Sequence, residues 1–227
     1  MAVLIHTAIG MLAGLMAGLV VSMFSMRLPL ALQREWRVDA HDYLGLPYTP
    51  DQAINAKSKW EFLKGSRFLV IEVVCAAIGG ILFWWLGISV ESVVFALLFW
   101  SLITVAVIDQ ETMYIPDVIV MPLLWAGMLF YALTAPDQLQ WHVMGAAAGY
   151  CALRWLPVGQ GDAKLSAVAG AWVGLGSLLT YFTIGATLGV VVGLVYYCVR
   201  GKSEPFPYGP SLVAGLLATV GMQLLRV

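Results

Sequence analysis

Carboxylates are scarce in this chain, and four of them fall at the edges of long apolar runs. Asp109 closes one run, Glu111 follows it, Asp117 opens the next, and Asp162 comes directly after Gly159-Gln160-Gly161. Ionisable groups at membrane depth are costly and mark functional sites. A single carboxylate at a span end is ordinarily a solvated helix terminus. Two that meet on one face, one of them in Gly-x-Gly-Asp, can share a proton and perform general acid–base chemistry. The glycines Gly159 and Gly161 allow a sharp bend and a close backbone approach. Lys164 reads as a cytoplasmic anchor. Asp117, just after Pro116, reads as an N-terminal helix charge that suits the macrodipole, with an orienting role as the alternative. Glu111 reads as solvated.

Other chemistries lack their residues. His6, His41 and His142 are too far apart in the expected topology to form a metal cluster. No Ser or Cys nucleophile has a plausible base, and there is no phosphate loop or dinucleotide fingerprint. Cys75, Cys151 and Cys198 include no CxxC pair and read as small buried hydrophobes in apolar runs.

The elements that must position these acids are membrane spans. Of 227 residues, 61% are hydrophobic and 11% charged, with a mean hydropathy of +0.87. Soluble domains carry about 25% charged residues, so a soluble enzyme, a disordered chain and a nucleic-acid-binding module are all excluded. The net charge of −1 implies no polyanionic partner. A crossing needs about 20 apolar residues, and eight candidate spans follow: 3–26, 68–87, 89–108, 115–134, 142–158, 165–180, 183–199 and 209–225. Unpaired backbone groups are not tolerated in lipid, so these runs are helices. The expected fold is an all-α polytopic membrane protein of about eight transmembrane helices, its first span a retained anchor with a signal peptide as the weaker alternative. It divides into that first helix (1–26), a polar loop segment (27–66) and a seven-helix core (67–227).

Orientation follows from Lys and Arg. Arg27, Arg34, Arg37, Lys57, Lys59, Lys64 and Arg67 make up 7 of the 12 basic residues. They place the 27–66 segment in the cytoplasm and both termini outside. The turns holding Asp109 and Asp162 then fall on the cytoplasmic side, with only Arg226 against the rule. Within 27–66, an amphipathic surface stretch and a short loop are expected, with Trp36, Tyr48 and Trp60 at headgroup level.

With these residues in place, the sequence resembles the type IV prepilin peptidase family. IDQETMYIPDVIVMPLLWAGML (108–129) is similar to that family's first aspartate region, and GQGDAKLSAVAGAWVG (159–174) to its second, a GxGD motif. PFPYGPSLVAG (205–215) is similar to its C-terminal Pro-Phe-Gly-Pro stretch. MRLPLALQREW (26–36), preceded by Gly18, and RFLVIE (67–72) match less specifically. The resemblance covers nearly the whole chain. It implies an aspartic endopeptidase of the bacterial inner membrane, acting at the cytoplasmic face. Asp109 and Asp162 would be catalytic, with Gly159, Gly161, Asp117 and Lys164 supporting them. The implied substrates are prepilins or pseudopilins with a basic leader and an apolar N-terminal helix, met in the lipid bilayer.

The chain departs from the family pattern in its first loop. Many members carry two CxxC pairs there, expected to hold a metal, and this loop has no cysteine, so no metal site is expected. Ser22 stands where the family usually has Asn. Members often add an N-methyltransferase activity that uses S-adenosylmethionine. Glu72 matches a family glutamate of that kind, and S-adenosylmethionine enters here only if that second activity is retained. Two other classes stay open on the residues alone. A transporter with paired carboxylates would place its acids nearer the midplane, within pseudo-repeats. A non-catalytic scaffold would tolerate their loss.

Overall fold

The computed structural model describes residues 1–47, 63, 65–156, 159–200 and 206–225. Seven helical elements lie among them: α1 (Ala2–Leu44), α2 (Ser66–Leu86), α3 (Val90–Thr112), α4 (Asp117–Thr134), α5 (Leu139–Arg154), α6 (Gln160–Arg200) and α7 (Gly209–Leu224). Five of these are long and apolar enough to cross a membrane, and α7 is a shorter apolar helix. The all-α polytopic membrane class is borne out. Apolar residues face outward: on α4, Val118, Met121, Trp125, Leu129 and Leu133 are all exposed, at three- and four-residue spacing along one face.

The chain forms two compact units, Met1–Thr104 and Val105–Val227. In the first, α1 does not stop at the expected 26/27 boundary but runs on through Pro29 to Leu44. It ends in a Schellman turn: Gly45 takes φ 65°, and the Gly45 and Leu46 N–H groups reach the carbonyls of Asp42 and His41. The amphipathic stretch expected at the start of the 27–66 segment is therefore a continuation of the first helix. Tyr48, Pro50, Lys57, Lys59, Trp60 and Lys64 lie outside the described residues. α1 packs on α2 through Gly10, Gly14 and Gly18. A β-carbon on the first two would strike the α2 backbone at Gly79 and at Cys75–Ala76, and one on Gly18 would meet the Glu72 side chain. In lipid, where apolar burial between helices gains little, such close approach is what holds helices together. Arg67 adds a 2.8 Å hydrogen bond to Ser25 Oγ.

The second unit corrects one expected boundary. The break in the apolar stretch that follows Lys164 falls at Gly174, not at residues 181–182. Gly174 takes φ 72°, ψ 170° inside α6, a left-handed conformation that favours glycine. The hydroxyls of Ser166 and Tyr181 are 3.0 Å apart. In a straight helix these positions would be separated by about 22 Å. The chain therefore folds back at Gly174, and α6 consists of two arms, 160–173 and 175–200.

A reversal within an apolar bundle strands the last carbonyls of the first arm, and no water is there to satisfy them. Three side chains from three other helices do so. His142 Nδ1–H donates to Ala171 O at 2.9 Å, the Tyr131 hydroxyl to Trp172 O at 3.0 Å, and Gln223 Nε2 to Val173 O at 2.9 Å. The Tyr131 and His142 rings stack at 3.4 Å between centroids. Gly145 and Gly149 on α5 let that helix approach the first arm at Gly170 and Ser166, backbone to backbone. Cys75 is buried as expected, whereas Cys151 and Cys198 are exposed on the apolar outer surface. Their helices turn those positions away from any neighbour.

Candidate active site

Asp109 sits in the last turn of α3. That helix closes with Thr112 Oγ donating to Ile108 O at 2.8 Å and the Met113 N–H donating to Asp109 O at 2.8 Å. Met113 takes φ 53°, the sole positive φ on a non-glycine among the described residues. The left-handed residue turns the chain into the link that leads to α4. Asp162 is the third residue of α6. Its Oδ2 accepts the Gly159 N–H at 3.2 Å, and its own N–H donates to Gly159 O at 3.1 Å. A carboxylate reaching back to the N–H that opens its helix satisfies an orphan donor and suits the dipole.

The Gly-x-Gly sequence acts here by size rather than by backbone conformation. Neither Gly159 nor Gly161 is among the glycines with positive φ. A β-carbon on Gly161 would come within 2.8 Å of Ile115 Cβ, and one on Gly159 within 3.1 Å of Asp162 Oδ2. Gly161 therefore lets the start of α6 press against the link after α3, and Gly159 leaves room for the Asp162 carboxylate. This brings the two aspartates to one cavity of about 340 Å³, which Tyr114, Asp117, Gly159, Gly161 and Lys164 also line. Asp109 is 5% exposed and Asp162 8%, and their charges lie within electrostatic reach of each other.

Lys164 and Asp117, expected as an anchor and a helix-start charge, are joined. Lys164 Nζ donates to both Asp117 oxygens, at 2.6 and 2.8 Å. Burial and the Asp117 carboxylate raise the Tyr114 phenol above its ordinary pKa, against a smaller opposing pull from Lys164. Glu111 is exposed and does not line the cavity. Among the described residues, no group of three His, Cys, Asp or Glu side chains is placed to hold a metal ion.

Residues 96–194, which contain both aspartates, match the type IV leader peptidase family. The chain is 32% identical to the prepilin leader peptidase/N-methyltransferase of Pseudomonas putida, covering 91% of this chain and 88% of that one. It is 30% identical to the protein of the same name from Stutzerimonas stutzeri, over 90% and 87% of the two chains. The chain belongs to the type IV leader peptidase family. A third relative of that name, from Neisseria gonorrhoeae, is 28% identical over 88% of this chain and 84% of its own. No solved structure matches.

Membership bears out the resemblance drawn from the two aspartate regions and the expectation of a peptidase. The structure adds a neighbour to which sequence reading gave no role. Gly209 opens α7, and its N–H donates to Asp109 Oδ2 at 2.9 Å. A β-carbon there would lie 2.6 Å from that oxygen. The preceding Tyr208 lies within electrostatic reach of Asp162, and its phenol is raised by burial and by that charge. The signal was present in PFPYGPSLVAG, a family match whose Gly-Pro start of a helix supplies a free N–H and a positive dipole end.

Proposed function

We propose that this chain is a membrane aspartic endopeptidase that removes the basic leader from prepilins or pseudopilins at the cytoplasmic face of the inner membrane. Asp109 and Asp162 would act as its acid–base pair. The observation that carries the reading is that two buried aspartates, 53 positions apart (162 − 109), line one cavity large enough for a peptide segment. Two carboxylates that share one low-dielectric cavity do not both ionise readily, and such groups titrate as a pair. The ionised member takes a proton from water as its oxygen attacks the scissile carbonyl. The protonated member gives its proton to the carbonyl oxygen. Collapse of the tetrahedral adduct then breaks the C–N bond: the carboxyl that took the water's proton gives it to the leaving amine, and the other carboxylate takes back the hydroxyl proton as the carbonyl re-forms. The Gly209 and Gly159 N–H groups hold one oxygen of each aspartate and leave the other for this traffic. Asp117 and Lys164 support the rim of the cavity.

Asp109→Asn and Asp162→Asn test the reading on a prepilin substrate with purified protein. Both should remain folded and lose cleavage. Retained cleavage by either would sink the two-aspartate assignment.

A second reading, methyl transfer from S-adenosylmethionine, draws on the relatives' names and on the first unit. Ser22 Oγ and Glu72 Oε1 are buried without a hydrogen-bond partner. Unmet polar atoms on facing helices fit a bound polar or cationic group, and a carboxylate suits a sulfonium. Mass analysis of the mature N-terminus for an added methyl group tests it directly.

A further inference from the structure

We infer that Gly189, on the second arm of α6 and outside the catalytic cavity, is a positioning residue for Asp109. The inference rests on the peptidase reading of that aspartate. A carboxylate in the last turn of a helix faces carbonyl oxygens and the negative end of the dipole, so α3 offers Asp109 no donor. The donor comes from Gly209, 100 positions further on, whose N–H opens α7 and has no acceptor within that helix. The place of that first turn therefore decides where Asp109 Oδ2 rests.

The lead-in to α7 is non-helical over residues 206–208, and it and the first turn of α7 are seated on three glycines of the second arm. Gly185, Gly189 and Gly193 are four residues apart and share one face. A β-carbon on Gly185 would stand 3.3 Å from Leu212 Cδ2, and one on Gly193 3.1 Å from the Phe206 ring. On Gly189 it would fall inside contact distance of the Tyr208 ring. This is the tightest of the three contacts, and it bears on the residue directly before Gly209. Gly189 has no side chain to touch substrate or water. It acts as a stop that sets the depth of Tyr208, and through it the Gly209 N–H and the Asp109 oxygen.

The test is a graded alanine series assayed by steady-state cleavage of a prepilin substrate, with turnover normalised to folded protein. Gly189→Ala should lower kcat about tenfold or more with KM within about twofold, since a misplaced group costs turnover before binding. Gly193→Ala should lose less. Gly176→Ala, on the same arm with open space around it, should keep wild-type turnover. Replacing the ring should relieve the block, so Gly189→Ala combined with Tyr208→Leu should turn over faster than Gly189→Ala alone. That non-additivity would not arise from a general folding defect. Wild-type kcat in Gly189→Ala, or strictly additive losses in the double variant, would overturn the inference. Asp109→Asn in the same assay keeps the two ideas apart: cleavage by that variant would remove the peptidase reading itself.

Discussion

Buried carboxylates occur in both units of this chain, and the two units handle them differently. In Val105–Val227, Asp109 and Asp162 each receive a backbone N–H from the start of a helix and open onto a shared cavity. In Met1–Thr104, Glu72 is 8% exposed and packed against Gly18, with Oε1 unpartnered and Ser22 Oγ likewise. Burying a carboxylate is costly unless donors replace its water. The second unit supplies those donors from its own backbone, whereas the first leaves one oxygen wanting. The contrast separates two aspartates whose oxygens are met by backbone donors from a glutamate with one oxygen unmet.

The largest expected effect lies at the pair. Asp109→Asn or Asp162→Asn should reduce cleavage about a thousandfold or more, and the double variant should be little worse than either single one. Full activity in a folded Asp162→Asn protein would dissolve the contrast, since the second unit would then hold only structural carboxylates. Next comes the spacing that makes the cavity. Gly161→Ala would drive a methyl group into Ile115, and a displacement of about 1 Å at the pair costs about a hundredfold in turnover. Unchanged turnover there would show that α6 can shift without disturbing Asp162.

The contrast sharpens at Glu72. Glu72→Gln keeps the shape and removes the charge, so prepilin cleavage should stay within about twofold of wild type. If the first unit serves methyl transfer, the mature product should lose its added methyl group. Loss of cleavage comparable to that of Asp109→Asn would mean that the two units do not divide the labour in this way.

The two aspartates that meet at one cavity could be picked out from sequence because carboxylates are rare against an apolar background and a Gly-x-Gly precedes one of them. Helical class followed from the same background. What could not be read depended on tertiary contacts. The fold-back at Gly174 sits inside an unbroken apolar run, and one glycine among 23 carries no mark of a positive φ. Its carbonyls are satisfied by Tyr131, His142 and Gln223, which come from three separate helices and share no motif. The continuity of α1 to Leu44 was hidden because hydropathy ends the span near residue 26, although the amphipathic stretch expected beyond it keeps a high helix propensity through Arg34 to Arg37. Gly209 belonged to a recognised stretch, yet only the closeness of α7 to Asp109 reveals its use.

The smallest effect is expected at the rim. Lys164 and Asp117 form a bidentate ion pair, with the Asp117 side chain 51% exposed and that of Lys164 26%. Exposed pairs of this kind contribute about 0.2–1 kcal/mol, and salt screens them. Lys164→Met should therefore lower stability by no more than that and reduce cleavage only a few-fold, with the loss shrinking as ionic strength rises. The residue is nonetheless two positions from Asp162 and lines the same cavity. If Lys164→Met instead matched the loss in Asp162→Asn and ignored salt, the ammonium would be contacting the reacting groups. The proposed acid–base site would then comprise three side chains, and two carboxylates alone would no longer account for the chemistry.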